Sequence, residues 1–323
     1  MPPLVSIVIP VYNGSNYLGQ AVDSALAQTY ANVEVIVVND GSDDGGATRA
    51  VAERYGDRIG YLEKENGGVA SALNLGVRSM RGQFFSWLSH DDLYHPRKIE
   101  EQVAFYAGKR LDKAVLFSDE DRIDGDGRLV ARARPFRMPR EPLPYVLLYR
   151  QFIGGCSLLI PRAAFDEAGM FDESLRLVQD YDLWFRMMAK GYEFVYCPLV
   201  SGSSRRHALQ DSRNKAAVHA TEKGEFLARV MAELPTRLWL DPFRDPEAAL
   251  YSLAAEYGAQ GLRGPRAFAL EMAGERARGP VRRAMGAAKR GWAVLRVRTG
   301  RLAFRLRRKA AFVTARVKKG AGA

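Results

Sequence analysis

Two adjacent carboxylates, Asp91 and Asp92, follow an apolar run that is rich in aromatic residues. The run, Phe-Phe-Ser-Trp-Leu at residues 84–88, has the length of a buried strand, and Pro96 closes the segment soon after the acids. At the carboxyl end of a strand in an α/β sheet, paired acids suit a hard divalent cation that also contacts substrate phosphates. Taken alone, the pair is equally compatible with a solvated acidic turn.

Two further acids occupy comparable positions. Asp40 follows the β-branched run at residues 33–38 and can accept hydrogen bonds from a nucleobase or ribose, although a turn-forming role is also open. Asp180 precedes a helical pattern and can take a proton from a hydroxyl, or it can cap the helix. In the same segment, position alone favours a first-turn dipole partner for Asp182 and a core residue for Trp184.

The surrounding pattern predicts the elements that position these acids. Strands are predicted at residues 4–10, 33–38, 59–62 and from residue 84, with helices at 17–28, 48–55 and after residues 66–68. This alternation is typical of a mostly parallel sheet covered by helices, so Pro10, Asp40 and Asp91 are expected to line one crevice.

Later strands are predicted at 114–117, 157–160 and 194–200, and helices at 178–190, 215–233 and 246–257. Residues 118–121 are interpreted as a solvated acidic turn or as a face toward a donor sugar, and residues 201–212 as a polar loop.

Composition and motifs narrow the function classes. The chain has 323 residues, 47% of them apolar and 26% charged, which is ordinary for a soluble protein of about two domains. Its two cysteines provide neither a disulfide framework nor a zinc set, which favours a reducing cytosol. No apolar run predicts a membrane-spanning helix. Neither a dinucleotide-binding glycine motif nor a P-loop is present, so the carboxylates favour a metal-bridged nucleotide.

The positive charge of the chain is concentrated at its carboxyl end. Residues 274–323 carry 16 Lys or Arg and one acid, so this segment has a net charge of +15 and residues 1–273 have −4. Apolar residues recur there at spacings of three and four, including Trp292, Leu295, Leu302, Leu306 and Val313. The pattern predicts a basic amphipathic helix at an anionic membrane surface. The alternative is a helix packed on the acidic remainder of the chain, and nucleic-acid binding is disfavoured because no nucleic-acid-binding fold is recognisable.

Six segments in order resemble a known enzyme family. They are residues 6–13 (Ser-Ile-Val-Ile-Pro-Val-Tyr-Asn), 37–44 (Val-Val-Asn-Asp-Gly-Ser-Asp-Asp), 66–76, 89–92 (Ser-His-Asp-Asp), 179–184 (Gln-Asp-Tyr-Asp-Leu-Trp) and 206–212. Together they resemble the family-two inverting glycosyltransferases. The resemblance implies the GT-A fold, a Rossmann-like mixed α/β sheet with flanking helices, over residues 1–235. Residues 236–323 are then a helical, strongly basic extension.

The resemblance also implies a role for each matched residue. Pro10, Tyr12, Asp40, Asn74 and Asp91 would bind the nucleotide-sugar donor, and Asp180 would be the catalytic base. Trp184 and Asp182 would face the sugar or acceptor, and Asp92, Asp91 and His207 would hold Mn²⁺ or Mg²⁺. One departure concerns the metal motif, which the family often writes Asp-x-Asp-Asp and which has Ser89 at its first position here.

The predicted function is therefore metal-dependent, inverting transfer of a hexosyl or deoxyhexosyl group to a glycan or lipid-linked acceptor. Such an enzyme would serve polysaccharide or lipopolysaccharide biosynthesis for the cell envelope, in the cytoplasm and peripheral to the inner face of the membrane. Two alternatives remain open at this point: a nucleotidyltransferase, which would share the nucleotide and the metal, and a non-catalytic membrane or nucleic-acid adaptor built around the basic tail.

Overall fold

Two sheets carry the residues that the sequence singled out. The structure, a computed structural model, describes residues 2–133, 135–207, 216–276 and 293, with the backbone alone at 216–220. In chain order the elements are β1 (Val5–Val11), α1 (Leu18–Leu26), β2 (Val33–Asn39), α2 (Ala47–Glu53), β3 (Gly60–Glu63), α3 (Val69–Ser79), β4 (Phe84–Trp87), β5 (Leu93–Tyr94), α4 (Lys98–Gly108), β6 (Ala114–Asp124), β7 (Leu129–Ala131), α5 (Leu143–Tyr149), β8 (Ile160–Pro161), α6 (Arg162–Ala168), α7 (Gln179–Ala189), β9 (Glu193–Arg206), α8 (Ala216–Glu233), α9 (Thr236–Trp239), α10 (Pro246–Gln260) and α11 (Arg263–Arg276).

The first sheet has the order β3-β2-β1-β4-β8, and its first four strands are parallel. All seven residues of β1 are buried, as expected for a β-branched strand covered on both faces. Val11 pairs with Asn39 and Val8 with Trp87, so the carboxyl ends of these strands lie at one edge. Helix α3 packs closely on β1 at Gly76, where a Cβ atom would lie 2.3 Å from a Val8 methyl carbon.

The second sheet has the order β5-β9-β6-β7 and corrects two sequence predictions. Residues 118–121, for which a solvated acidic turn was one of two interpretations, continue β6, and residues 201–206, predicted as loop, continue β9. These two extensions pair with each other in parallel register, with Asp119 opposite Val200 and Asp124 opposite Arg206. Non-local backbone pairing therefore overrides the polar composition of both segments.

The chain divides into two compact units. One comprises residues 1–144 and 151–223, and the other comprises residues 145–150 with the chain from Gly224 onward, so the boundary predicted after residue 235 falls within the second unit. Inside that unit, the side chain of Asp245 caps α10 by accepting from the Ala248 N–H group, and Gly261 ends the helix in the left-handed conformation. The predicted basic helix lies outside the described residues apart from residue 293. None of the helices described is long and apolar enough to span a bilayer.

Candidate active site

Asp92 directly precedes β5 and has both carboxylate oxygens engaged. Oδ1 accepts a hydrogen bond from the Arg205 backbone N–H group at 2.7 Å, and Oδ2 accepts from the Cys156 thiol at 3.2 Å. Burial, reinforced by the nearby charges of Asp91 and Glu120, raises the pKa of Asp92 to about 8. Acidic side chains are thus crowded at this point of the protein, and a cation bound here would favour the ionised form of Asp92.

Asp91 and His207 are brought together from distant parts of the chain, as the sequence-based ligand set requires. His207 Nε2 lies 2.9 Å from Asp91 Oδ2, and both side chains are about 13% exposed. The imidazole ring also contacts the ring of Tyr17, with centroids 5.1 Å apart. The end of β9 is therefore fastened to the acidic pair through a side chain that the sequence had selected.

Arg205 is fully buried and organises this region, although the sequence gave no signal for it. Its Nε donates to the Asp91 carbonyl oxygen at 2.7 Å, and the guanidinium lies 4.4 Å from the centre of the Tyr17 ring. The remaining guanidinium N–H groups donate to Gln20 Oε1 and to the carbonyl oxygens of Asp124 and Gly125. Sequence reasoning missed this residue because it lay in a segment predicted as loop.

The donor set fits a metal ion that substrate helps to bind. In the part of the chain that is described, no three or more His, Cys, Asp or Glu side chains come together as a group that could hold a metal ion without further ligands. Mg²⁺ is usually held by one or two carboxylates together with water and substrate phosphates, and Mn²⁺ shares its preference for oxygen ligands. Asp92 and Asp91 supply such carboxylates, so the predicted ligands are compatible with a cation completed by a diphosphate.

Ser89, the departure from the family pattern, contacts a buried thiol. The Ser89 N–H group lies 3.2 Å from Cys156 Sγ, which in turn lies 3.3 Å from Ser89 Oγ. Burial raises the pKa of Cys156 well above its ordinary value, so the thiol is neutral near pH 7. A neutral pair thus stands where an acid in the family pattern would add a further carboxylate beside Asp91 and Asp92.

Glu120 is a second buried acid near the Asp92 carboxylate. Burial raises its pKa to about 7, while the charges of Lys98, Arg206 and Arg122 act in the opposite direction. Its carboxylate lies against Gly154 so closely that a Cβ atom there would stand 2.7 Å from Oε2. The sequence indicated this residue only as part of a turn or donor-facing segment. In the structure it lies on β6, which excludes the turn.

The predicted donor-binding residues occupy the strand edge but differ in exposure. Pro10 is buried within β1, whereas Tyr12 is 44% exposed and its hydroxyl donates to Asp43 Oδ1 at 3.2 Å. Asp40 is 3% exposed and accepts from Lys64 Nζ at 2.9 Å and from the N–H groups of Gly67 and Gly68 at 3.0 and 2.7 Å. The carboxylate of Asp40 therefore fixes the loop that precedes α3.

Asn74 uses its whole amide to hold another loop. Both of its N–H groups donate, to the Phe171 carbonyl oxygen at 2.9 Å and to Glu173 Oε1 at 2.8 Å, and its oxygen accepts from the Phe171 N–H group. The side chain is 2% exposed. In this structure Asn74 therefore joins α3 to residues 171–173, and a donor contact would require it to exchange these bonds.

Asp180 lies in the first turn of α7, and Val178 occupies the N-cap position. The carboxylate accepts from the Tyr181 N–H group at 2.8 Å, and burial raises the pKa of Asp180 to about 6. Tyr181 anchors this turn because its hydroxyl bonds to both the N–H group and the carbonyl oxygen of Ile153. Asp180 is thus a fixed carboxylate whose pKa lies close to neutrality, as a general base requires.

Asp182 and Trp184, which were predicted to face the sugar or acceptor, contact other side chains of the protein in this structure. Asp182 is 7% exposed and pairs with Arg186 at 2.8 Å, one helical turn later. Trp184 has no exposed surface and packs against Phe171 and Phe194. The indole therefore lies in the core, as its sequence position alone had indicated.

Glu222 on α8 is a further residue that the sequence did not reveal. Its carboxylate accepts from three successive backbone N–H groups, those of Arg176, Leu177 and Val178, at 3.0, 2.7 and 2.9 Å. These groups immediately precede α7, where orphan N–H donors and the positive end of the helix dipole favour an anion. Glu222 therefore holds the start of the helix that carries Asp180.

Comparison with known proteins agrees with this geometry. Residues 6–167, half of the chain, match Glycosyl transferase family 2. The chain belongs to this family. The matched region contains the acidic pair, Asp40 and Glu120, whereas Asp180 and His207 lie beyond it.

Several relatives of this family 2 member bear names that fit the assignment. An uncharacterized glycosyltransferase of Rickettsia bellii is 47% identical over 223 residues, which cover 68% of this chain and 32% of the relative. The uncharacterized glycosyltransferase RP339 of Rickettsia prowazekii is 50% identical over 212 residues, which cover 64% of this chain and 65% of the relative. A chondroitin synthase of Pasteurella multocida is 32% identical over 58% of this chain and 19% of its own length. The chain spans between 31% and 65% of the length of the Rickettsia relatives.

Solved structures confirm the GT-A fold predicted for this family 2 chain. Residues 1–349 of S. aureus TarS in complex with UDP-GlcNAc align with a TM-score of 0.56 and 16% identity, over 83% of this chain and 91% of that one. The mannosyltransferase PcManGT from Pyrobaculum calidifontis, with GDP-Man and Mn²⁺, aligns with a TM-score of 0.52 and 19% identity, over 91% and 87%. At such identities the likeness establishes the fold.

Proposed function

We propose that this glycosyltransferase is metal-dependent and inverting, and that it moves a hexosyl or deoxyhexosyl group from a nucleotide-sugar to a hydroxyl. The observation that carries the proposal is the state of Asp180. It is a carboxylate fixed at the start of α7, and its pKa is raised to about 6 by burial. Such a group is ionised near neutral pH and still basic enough to accept a proton.

The proposed reaction is a single displacement. Asp180 accepts the proton of the acceptor hydroxyl as its oxygen bonds to the anomeric carbon. The bond from that carbon to the diphosphate breaks, and its electron pair leaves with the nucleoside diphosphate. Attack from the opposite side inverts the anomeric configuration, and no covalent bond to the protein forms. Anchoring of the helix start by Tyr181 and Glu222 keeps the base in place.

The leaving-group side is assigned to the acidic pair. Asp92 and Asp91, with His207, would hold Mn²⁺ or Mg²⁺, which when bound neutralises charge that develops on the diphosphate. The concentration of carboxylates around Asp92 and the Mn²⁺ in the PcManGT structure support this assignment. Arg205, through its bonds to both acids, fixes their positions.

Donor recognition is assigned to the edge formed by β1 and β2. Tyr12 is exposed there for contact with a base or ribose, and Pro10 and Asp40 shape the same edge. Asp40 also orders the 64–68 loop, and Asn74 supports the donor side by holding residues 171–173. UDP-GlcNAc and GDP-Man, the ligands of the two similar structures, define the donor classes to try first.

The acceptor is proposed to be a glycan or a lipid-linked sugar used in polysaccharide or lipopolysaccharide biosynthesis for the cell envelope. The likeness to a chondroitin synthase supports polymeric sugar chemistry. A cytoplasmic enzyme, peripheral at the inner face of the membrane, would reach such an acceptor. The +15 charge of residues 274–323 supports attraction to an anionic membrane surface.

A donor panel tests the proposal. Purified protein is incubated with individual nucleotide-sugars and Mn²⁺, and released nucleoside diphosphate and pyrophosphate are quantified separately. Sugar transfer, or slow hydrolysis with water as acceptor, releases nucleoside diphosphate from at least one donor. Release of pyrophosphate would instead indicate a nucleotidyltransferase, and release of neither product across the panel would favour an adaptor.

A further inference from the structure

The hairpin that follows β6 presents an apolar and strongly basic surface. We define the hairpin face as the exposed residues of 128–140, namely Arg128, Leu129, Val130, Ala131, Arg132, Pro135, Arg137, Met138 and Arg140. Leu129, Val130 and Met138 are 48%, 63% and 49% exposed, and they are three of the five large hydrophobic side chains exposed in the described parts of the chain. Clustering of this kind marks interaction surfaces, whereas scattered exposed side chains do not.

Strand β7, which carries part of this cluster, is itself an exposed sheet edge that a partner could cover. It is the edge of the second sheet, pairs with β6 alone among the described strands, and all three of its residues are exposed. Proteins usually protect such edges with charges or cover them. Residues 128–140 contain five arginines and no acid. Arg128 pairs with Asp126, whereas Arg132, Arg137 and Arg140 form no ion pair with any of the residues that the structure describes.

The face is built on a fixed base. Asp121 Oδ1 accepts from the Ala133 N–H group at 2.6 Å, and Asp119 Oδ2 accepts from the Phe136 N–H group at 3.2 Å. The Phe136 ring stacks on Phe152 with centroids 4.6 Å apart. The backbone is thereby held while the apolar and basic side chains stay exposed.

The same hairpin is connected to the candidate active site. The carbonyl oxygens of Asp124 and Gly125 in its turn accept hydrogen bonds from the Arg205 guanidinium, at 3.3 and 3.1 Å. Arg205 also donates to Asp92 and to the Asp91 carbonyl oxygen. The turn of the hairpin is therefore joined through Arg205 to the acids proposed to hold the metal ion.

We propose that the hairpin face docks on an anionic lipid surface. The apolar side chains enter the headgroup region while the arginines pair with lipid phosphates, each of which carries the opposite charge. Pairing with a second copy through β7 would place two groups of four exposed arginines against each other, which opposes that occupant. The proposal concerns a surface of the chain and does not depend on the identity of the transferred sugar.

A labelled side chain tests the docking directly. Val130→Cys is coupled to an environment-sensitive fluorophore, which is selective because the native cysteines, Cys156 and Cys197, are buried. The matched control is Ala232→Cys, at an exposed position of α8. With phosphatidylcholine–phosphatidylglycerol vesicles, emission at position 130 is expected to shift to shorter wavelength and gain intensity. Position 232, and vesicles of phosphatidylcholine alone, are expected to give no change.

This readout separates the hairpin face from any binding by the basic tail. Unchanged emission at position 130 while the protein sediments with anionic vesicles would overturn the proposal, as would absence of sedimentation. A change that depends on protein concentration without lipid would assign the face to a second copy. An equal change with a soluble anionic polysaccharide would assign it to a glycan.

Arginine variants measure how much each basic side chain contributes to vesicle binding. Arg132→Gln, Arg137→Gln and Arg140→Gln are each expected to lower the vesicle partition coefficient about fivefold, which corresponds to about 1 kcal/mol per basic residue. Release of nucleoside diphosphate from a soluble donor is expected to be unchanged, because these side chains belong to the hairpin face. Equal partitioning of wild type and the triple variant would contradict the proposal.

Discussion

Asp180 illustrates at the residue scale how a catalytic property costs stability. Its pKa is about 6 in the folded protein, above the ordinary value of 3.8. The folded state therefore binds the proton more tightly than the unfolded state, and stability falls as pH rises from 3.8 to 6. Above pH 6 the protein carries the full cost of an ionised, partly buried carboxylate.

Asp180→Asn is expected to remove that cost. The amide oxygen can still accept from the Tyr181 N–H group, so the free energy of unfolding near pH 7.5 is expected to rise by about 1–3 kcal/mol. The gain is expected to shrink toward pH 4, where the wild-type carboxyl is protonated in the folded state. Denaturant unfolding at both pH values measures it, and a gain independent of pH would refute the assigned cause.

Asp92→Ala is expected to abolish nucleoside diphosphate release while leaving the fold intact. The side chain follows a strand end rather than filling the core, and its proposed role is to hold the cation. Circular dichroism checks the fold, and calorimetric titration with Mn²⁺ and a nucleoside diphosphate checks binding. Asp57→Ala, at an exposed position, is the control. Full activity of Asp92→Ala, or of wild type in excess chelator, would contradict the assignment.

At the element scale, α8 positions α7. Glu222→Ala leaves three N–H groups before the helix without their carboxylate, and the first turn with Asp180 is expected to shift. We expect kcat to fall roughly 10- to 100-fold with the donor KM unchanged, because loss of a charged acceptor is worth about 1–3 kcal/mol. Steady-state kinetics across donor concentrations measures both quantities.

Two further variants separate positioning from general destabilisation. Glu222→Gln retains an accepting oxygen and is expected to recover much of the rate. Glu225→Ala changes an exposed glutamate three residues later on the same helix and is expected to behave as wild type. A parallel loss of donor affinity and kcat, or no recovery in Glu222→Gln, would contradict the positioning role.

The parallel sheet could be predicted because each of its long strands is marked by a continuous apolar run in the local sequence. The β-branched runs at residues 4–10 and 33–38 match β1 (Val5–Val11) and β2 (Val33–Asn39) within one residue at each end. Burial on both faces leaves a continuous apolar signal in the sequence. Asp40, which follows the second of these strands, was consequently predicted at the correct edge of the sheet.

The second sheet and its site residues could not be predicted in the same way. The last parts of β6 and β9 are polar and exist because Asp119–Asp124 pair with Val200–Arg206 across some 80 residues. Arg205 and Glu120 acquire their positions through this pairing, and Glu222 acquires its position through equally non-local bonds to residues 176–178. Trp184 is the reverse case, because local information was sufficient there. Its spacing in the sequence predicted a core residue, which its complete burial matches, whereas the family resemblance suggested contact with the sugar or acceptor.

At the scale of the whole molecule, charge is divided between a −4 body and a +15 tail. If the tail contacts an anionic membrane, the full chain is expected to sediment with phosphatidylglycerol vesicles far more than a chain that ends at Gly274. Each basic residue near the surface contributes about 1 kcal/mol, so a fraction of these charges suffices. Equal binding by both chains, or tighter binding to DNA than to anionic lipid at about 150 mM salt, would exclude the membrane role of the tail.

The central claim is that Asp180 is the base of a sugar-transfer reaction. The most direct measurement is the rate of nucleoside diphosphate release by Asp180→Asn at saturating donor, with donor affinity determined separately and Asp166→Asn, at an exposed position of α6, as control. The account predicts a kcat about 10²- to 10⁴-fold lower with donor affinity retained. An unchanged rate, or a collapse of donor affinity that accounts for the loss, would contradict it.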